Sequence, residues 1–122
     1  RPEAARLGVP GEAAFGDGVL TCELGAFAIA DGTLDAAALA AELEVRPWRA
    51  GDRMRPLGLG GSKSLQDLFT DRKIPRAERY RLPVVISDGE IAWVPGVATG
   101  ERFRAGEGPR ARLTWAPRLR PR

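Results

Sequence analysis

The segment Gly58-Leu59-Gly60-Gly61-Ser62-Lys63-Ser64 places glycines, a lysine and two hydroxyls just ahead of an apolar helical pattern, and these are the residue types that cradle a phosphate. A nucleoside-triphosphate loop of the form G-x-x-x-x-G-K-[ST] needs glycine directly before the lysine, so that the backbone can approach the phosphates. Ser62 stands at that position. The preceding residues are broken by Pro56, Gly58 and Gly60 rather than forming an apolar strand, and no aspartate-ended apolar strand offers a magnesium partner. The pyrophosphatase loop S-G-G-x-D-S fails as well, because its aspartate is missing. What remains is an amide-rich loop, with Gly58, Gly60, Gly61 and Ser62 as backbone contacts and Lys63 as a cation, suited to holding one phosphate. The competing reading is a tight turn that docks the Leu65/Leu68/Phe69 helix.

Other chemistry is sparse. The chain has no histidine and one cysteine, Cys22, so an internal disulfide and the common zinc constellations are excluded, as is the usual general base of nucleophilic catalysis. Cys22 sits in the apolar run VLTCELGAF and reads as a small buried filler. The carboxylates Asp52, Asp67, Asp71 and Glu78 all have basic neighbours, which favours ion pairing that orients those neighbours over acid-base catalysis. No catalytic residue and no metal ligand is therefore assigned. Trp48, Trp93 and Trp115 are too widely spaced for a base-stacking array; Trp48, between Arg46 and Arg49, could belong to either the core or an RNA surface.

The charge is partitioned along the chain. Residues 1–45 carry two basic and eight acidic side chains, residues 46–81 ten and four, and residues 82–122 seven and four. The central belt therefore has net charge +6 against −6 for the segment before it, which points to an anionic partner or to an acidic neighbour within the protein. Eight of the ten central cations are arginines, whose planar fork suits phosphate.

These side chains need elements to carry them. At 122 residues and 43% hydrophobic, the chain can bury a modest core, without an apolar run long enough to span a bilayer or a signal peptide's apolar centre, and a cytoplasmic location follows. The start at Arg1 suggests a piece of a longer polypeptide. The first eight or so residues read as a linker or fraying end. Residues 13–34 alternate apolar runs with Gly and Asp-Gly breaks, predicting two or three strands. Asp35 caps at most one helical turn, and a strand runs from about Leu43 to Trp48. Ser64 and Asp67 match a capping box ahead of Leu65, Leu68 and Phe69, and Pro75 and Pro83 bracket a second short helix. In VVISDGEIAWV, Asp88-Gly89 predicts a type I′ hairpin in which Ile86 faces Ile91 and Val84 faces Trp93. ERFRA and ARLTWA read as later strands.

Residues 45–96 closely resemble the C-terminal domain of bacterial tRNA(Ile)-lysidine synthetase. The resemblance lies in Gly51-Asp52-Arg53, Arg55-Pro56-Leu57-Gly58, Gly60-Gly61-Ser62-Lys63, Leu65-Gln66-Asp67, Asp71-Arg72-Lys73-Ile74-Pro75, Arg79, Leu82-Pro83 and Trp93-Val94-Pro95-Gly96. It implies a compact α+β fold, mainly antiparallel sheets with two or three short helices, related to a domain of the phenylalanyl-tRNA synthetase β subunit. It also implies an enzyme that uses ATP to attach lysine to the wobble cytidine of an isoleucine tRNA, with this domain gripping the acceptor stem. ATP and magnesium would be needed by the full-length ligase and not by this chain, whose partners would be tRNA(Ile) and an upstream catalytic domain, with a homodimer left open and no membrane. Residues 1–43 would be leading strands or a linker, 44–116 the tRNA-binding domain and 117–122 a disordered tail. The phosphate contacts expected on this reading are Arg46, Arg49, Arg53, Arg55, Lys63, Arg72, Lys73, Arg76 and Arg79, positioned by Asp52 and Asp71. The alternative is a structural domain whose basic belt docks onto the enzyme's own catalytic part or a second subunit.

Overall fold

The computed structural model describes residues 1–118. In chain order its strands are β1 (Ala5–Gly8), β2 (Gly11–Phe15), β3 (Gly18–Gly25), β4 (Thr33–Asp35), β5 (Glu42–Arg46), β6 (Arg53–Met54), β7 (Lys63–Ser64), β8 (Val84–Ser87), β9 (Glu90–Val94), β10 (Ala98–Thr99) and β11 (Arg110–Pro117). Two short helices, α1 (Leu65–Asp71) and α2 (Arg76–Arg79), fall between β7 and β8, and single 3-10 turns occupy Ala36–Ala38 and Glu101–Phe103. Among the described residues no helix is long and apolar enough to cross a membrane.

A five-stranded antiparallel sheet in the order β1-β5-β8-β9-β10 is buried on both faces at its centre. The period of two in VVIS decides which residue goes where. Val85 points into a core shared with the second, four-stranded sheet (β2-β3-β11-β4), alongside Leu7, Leu43 and Trp93 from the first sheet and Phe15, Leu20, Leu34 and Leu113 from the second. Val84 and Ile86 point the other way, into a core closed by Leu65, Leu68 and Phe69 of α1 together with Trp48 and Met54. The fold is thus three layers: sheet, central sheet, and a layer of helices and loops that carries the basic belt. It is the α+β arrangement of antiparallel sheets with two short helices that the sequence predicts.

The hairpin forms at Asp88-Gly89, where φ values of 49° and 79° fit a type I′ turn. Ile86 faces Ile91 as expected, but Trp93 faces Val85 rather than Val84. The register shifts between Val85 and Ile86, one extra residue on β9 forming a bulge, and so Ala92 and Trp93 both join the inter-sheet core. Three further expectations are corrected. The supposed fraying end contains β1, which pairs with β5 and buries Leu7 completely, because pairing from distant sequence supplies what four residues lack locally. ERFRA is not a strand: Glu101–Phe103 makes a 3-10 turn that drops Phe103 into the core. β5 stops at Arg46, ahead of Pro47, which has no amide to donate. Trp48 therefore leaves the sheet and lies in the second core, edge-on to Phe69 and tilted against Tyr80. Of the expected tail, Pro117 closes β11, while 119–122 lie outside the described residues.

Candidate nucleic-acid interface

The belt is built on one buried ion pair. Arg46 is only 9% exposed, and its Nη1 and Nη2 donate to Asp52 Oδ2 and Oδ1, each at 2.9 Å. Nη1 also donates to the Pro47 carbonyl at 3.0 Å. Asp52 Oδ2 accepts the Arg49 amide at 2.8 Å, and the Asp52 carbonyl accepts the Leu65 amide at 2.9 Å. One carboxylate thus closes the 47–52 turn while its own backbone holds the start of α1. Burial alone would raise the Asp52 carboxyl pKa, but the hydrogen bonds from Arg46 and the Arg49 amide outweigh it and leave it below the usual carboxylate range. Arg46, expected among the phosphate contacts, has both terminal nitrogens committed inside the protein. Asp52 does position an arginine, as the sequence indicated, but one that faces inward.

The glycine loop projects beyond this base. Gly58 and Gly60 have φ of 81° and 78°, and a Cβ at either would meet no atom within 4 Å, so conformation rather than crowding demands glycine. The loop is pinned to the end of the central sheet: the Leu57 amide donates to Thr99 O at 2.9 Å and the Glu101 amide to Arg55 O at 2.7 Å. Glu101 Oε1 accepts the Gly58 amide at 3.1 Å, and the carboxylate is held by Arg104 at 2.7 and 3.0 Å. The Arg104 hydrogen bond, aided by the Gly58 amide, pulls the Glu101 carboxyl down to about 2. The Ser62 hydroxyl accepts from Arg53 at 3.2 and 3.4 Å, and Lys63 Nζ pairs with Asp71. With the Gly58 amide and Lys63 both engaged by carboxylates, the loop lacks the free lysine of a triphosphate cradle.

Ser64 caps α1, its hydroxyl accepting the Asp67 amide at 3.1 Å. The far end closes as a Schellman motif: the Lys73 amide donates to Thr70 O at 3.0 Å and the Ile74 amide to Phe69 O at 2.9 Å, with Lys73 at φ 56° where glycine is usual. Arg72 Nε donates to Val97 O at 3.2 Å. Arg79 Nε donates to Ile74 O at 3.0 Å, with its guanidinium 5.6 Å from the Phe69 ring centre.

The nine expected contacts therefore separate by environment. Arg46 is internal. Arg53, Lys63, Arg72 and Arg79 lie at the surface with one protein partner each, on Ser62, Asp71, Val97 and Ile74 respectively. The side chains of Arg49, Arg55, Lys73 and Arg76 are exposed and have no hydrogen-bond or ion-pair partner among the described residues. Arg81 is the belt cation that reaches the acidic N-terminal segment, pairing with Asp17 at 3.5 Å as well as with Glu78. Sequence reasoning overlooked Glu101 and Arg104, which brace the glycine loop; their i, i+3 spacing of opposite charges was the available signal. It also overlooked the exposed Leu57 and Leu59, apolar residues on either side of Gly58.

Comparison with known proteins places this geometry. Residues 43–115 match the model of the TilS substrate C-terminal domain. The tRNA(Ile)-lysidine synthase of Symbiobacterium thermophilum is 43% identical over 88 residues, which is 72% of this chain and 18% of that protein. That of Geobacillus kaustophilus is 49% identical over 65 residues, 52% of this chain and 14% of the relative. The bifunctional protein TilS/HprT of Listeria monocytogenes is 52% identical over 65 residues, 52% of this chain and 10% of the relative. The chain thus spans less than a fifth of the curated relatives it matches. A crystal structure of a TilS C-terminal domain superposes with TM-score 0.76 at 30% identity, covering 97% of this chain and 100% of that one.

Proposed function

The chain belongs to the TilS substrate C-terminal domain family, and from that premise we propose that it is the non-catalytic, tRNA-gripping part of a tRNA(Ile)-lysidine synthase. In this reading it holds the acceptor stem of an isoleucine tRNA in the cytoplasm while another part of the enzyme converts the wobble cytidine to lysidine. The observation that carries it is the set of exposed cations Arg49, Arg55, Lys73 and Arg76, which have no hydrogen-bond or ion-pair partner among the described residues, on the layer opposite the four-stranded sheet. A-form RNA hides its base edges in a deep, narrow major groove, so phosphates and 2′-hydroxyls are what such side chains reach. Contacts of this kind position an RNA without reading its sequence.

ATP and magnesium belong elsewhere in the enzyme on this reading. Among the described residues no three His, Cys, Asp or Glu side chains converge on a cation-sized site, and Lys63 is tied to Asp71. The residues present do not fit a magnesium-triphosphate complex. What this chain's residues can do is bind and orient.

The experiment is fluorescence anisotropy of the 122-residue chain with an isoleucine tRNA and with a hairpin of its acceptor stem, at several salt concentrations. Both RNAs should bind comparably, with log K falling against log salt at a slope on the order of −4 for about five neutralised phosphates. Arg49→Ala with Arg76→Ala should weaken both by about tenfold and reduce the slope by about two. No binding below about 100 µM at low salt would overturn the reading, since nonspecific nucleic-acid affinity is already tighter than that. It would favour a belt that docks onto protein.

A further inference from the structure

Two adjoining clefts run along the belt. The larger, about 510 Å³, has apolar walls from Ile29, Leu57 and Val97 and carries Arg72 and Arg104. The smaller, about 350 Å³, lies between the glycine loop and α1, where Lys63 and Asp71 pair. Arg72 lines both. Ile29 is 67% exposed and Leu57 39%, unusual positions for large aliphatic side chains beside so much charge.

The walls are held in place from behind. The Thr33 hydroxyl donates to Ala28 O at 2.9 Å and accepts the Ala30 amide at 3.2 Å, fixing the loop that presents Ile29. Asp31, the acidic residue on this wall, accepts Trp93 Nε1 and the Gly96 amide, each at 2.9 Å, so both carboxylate oxygens are engaged by the protein. Arg72 is anchored through Nε to Val97 O, which orients the guanidinium and leaves its two terminal nitrogens without a protein partner among the described residues. An apolar slot with a fixed guanidinium at its edge matches a ligand with a flat apolar face and a phosphate attached. A base-paired nucleotide cannot enter, because its faces are stacked inside the duplex. A purely apolar peptide would fill the walls but bring nothing to the Arg72 fork.

Resting on the RNA-binding reading above, we propose that the cleft between Ile29 and Leu57 takes an unpaired nucleotide that continues one strand of the bound stem, with its phosphate on Arg72. The duplex lies on the open cations and the single-stranded extension turns into the slot.

The test uses the 122-residue chain and three RNA hairpins of identical stem: blunt-ended, with a few unpaired nucleotides at the 3′ end, and with the same number at the 5′ end. One extended hairpin should bind about tenfold tighter than the blunt one, the range of a single base contact. Ile29→Ser with Leu57→Ser should abolish that gain and leave blunt-end affinity unchanged. If circular dichroism shows the double variant unfolded, Ile29→Ser alone reads the same difference at the more exposed position. Equal binding of all three hairpins, or a gain that survives the substitutions, overturns the proposal while the stem-binding reading stands, and leaves the cleft to a protein segment. Failure of every hairpin to bind removes both.

Discussion

The two faces of the central sheet are finished in different ways. Towards the four-stranded sheet, the core is assembled from strands spread over the whole chain, from Leu7 to Leu113, and contains no charged side chain. Towards the helical layer, the core is drawn mainly from residues 48–97 and is bounded by the Arg46–Asp52 pair. The first face mainly excludes water. The second must also hold irregular loops steady, and loops have few apolar residues with which to do it. It uses hydrogen bonds to backbone instead: Asp52 on the 47–52 turn, Glu101 on Gly58, and Arg72 on Val97. The buried ion pair is found on the second side, while on the first side charged groups such as Asp31 act only at the edge of the core, and the two should fail differently.

The sharpest separation should come from a cavity in the inter-sheet core. Leu20 of β3 is fully buried there, and Leu20→Ala should cost about 2–5 kcal/mol in urea unfolding. RNA affinity of the molecules that remain folded should be unchanged, because the belt hangs on the opposite core. Phe69, equally buried beneath Arg79, should cost a similar amount as Phe69→Ala and lower affinity too. If both variants lowered affinity alike in the folded fraction, the distinction between the faces would be gone.

Next in size is the buried pair. Asp52→Ala leaves Arg46 without its partner and should destabilise by about 3 kcal/mol. Acid titration gives a second readout with a definite sign. The Asp52 carboxyl lies below its ordinary value of 3.8 in the folded protein, so its stabilising contribution is complete above that value and disappears as pH falls through the lowered one. The variant should therefore lose less stability than the parent between pH 4 and the acid limit, measured as the shift of the urea midpoint. An identical acid dependence would mean that the pair contributes nothing to holding the turn.

Legibility in the sequence followed the distance over which each decision is made. The Ser64 cap, the apolar stripe of α1 and the Asp88-Gly89 turn are settled within a few residues, and all three were readable. Trp93 was sent to the wrong face because the bulge at Ala92 answers to packing between sheets, which the alternation of EIAWV does not encode. β1 was invisible because its partner β5 lies more than thirty residues away. The position of the basic belt was legible from composition. Which arginine faces inward was not, since Arg46 and Arg49 differ only in where the 47–52 turn places Asp52. The bracing by Glu101 and Arg104 was equally hidden, because it joins Gly58 to residues more than forty positions on.

The smallest expected effect tests the charged face from the opposite direction, by stabilising it. Lys73 holds φ at 56° in the closing turn of α1, a conformation that costs a residue with a Cβ about 1–2 kcal/mol relative to glycine. Its amide and that of Ile74 complete the Schellman bonds, which depend on backbone alone, so glycine can make them equally well. Lys73→Gly should therefore raise stability by about 1 kcal/mol, less whatever entropy glycine adds to the unfolded chain. The ammonium group has no hydrogen-bond or ion-pair partner among the described residues, so removing it breaks none of their contacts. If Lys73 contacts a phosphate, the same substitution should weaken RNA binding several-fold and make the salt slope shallower by about one. Stability and affinity would then move in opposite directions at a single residue, the signature of a strained position kept for its charge. A variant that is more stable and binds equally well would remove Lys73 from the interface and leave Arg49, Arg55 and Arg76 as its unpaired cations.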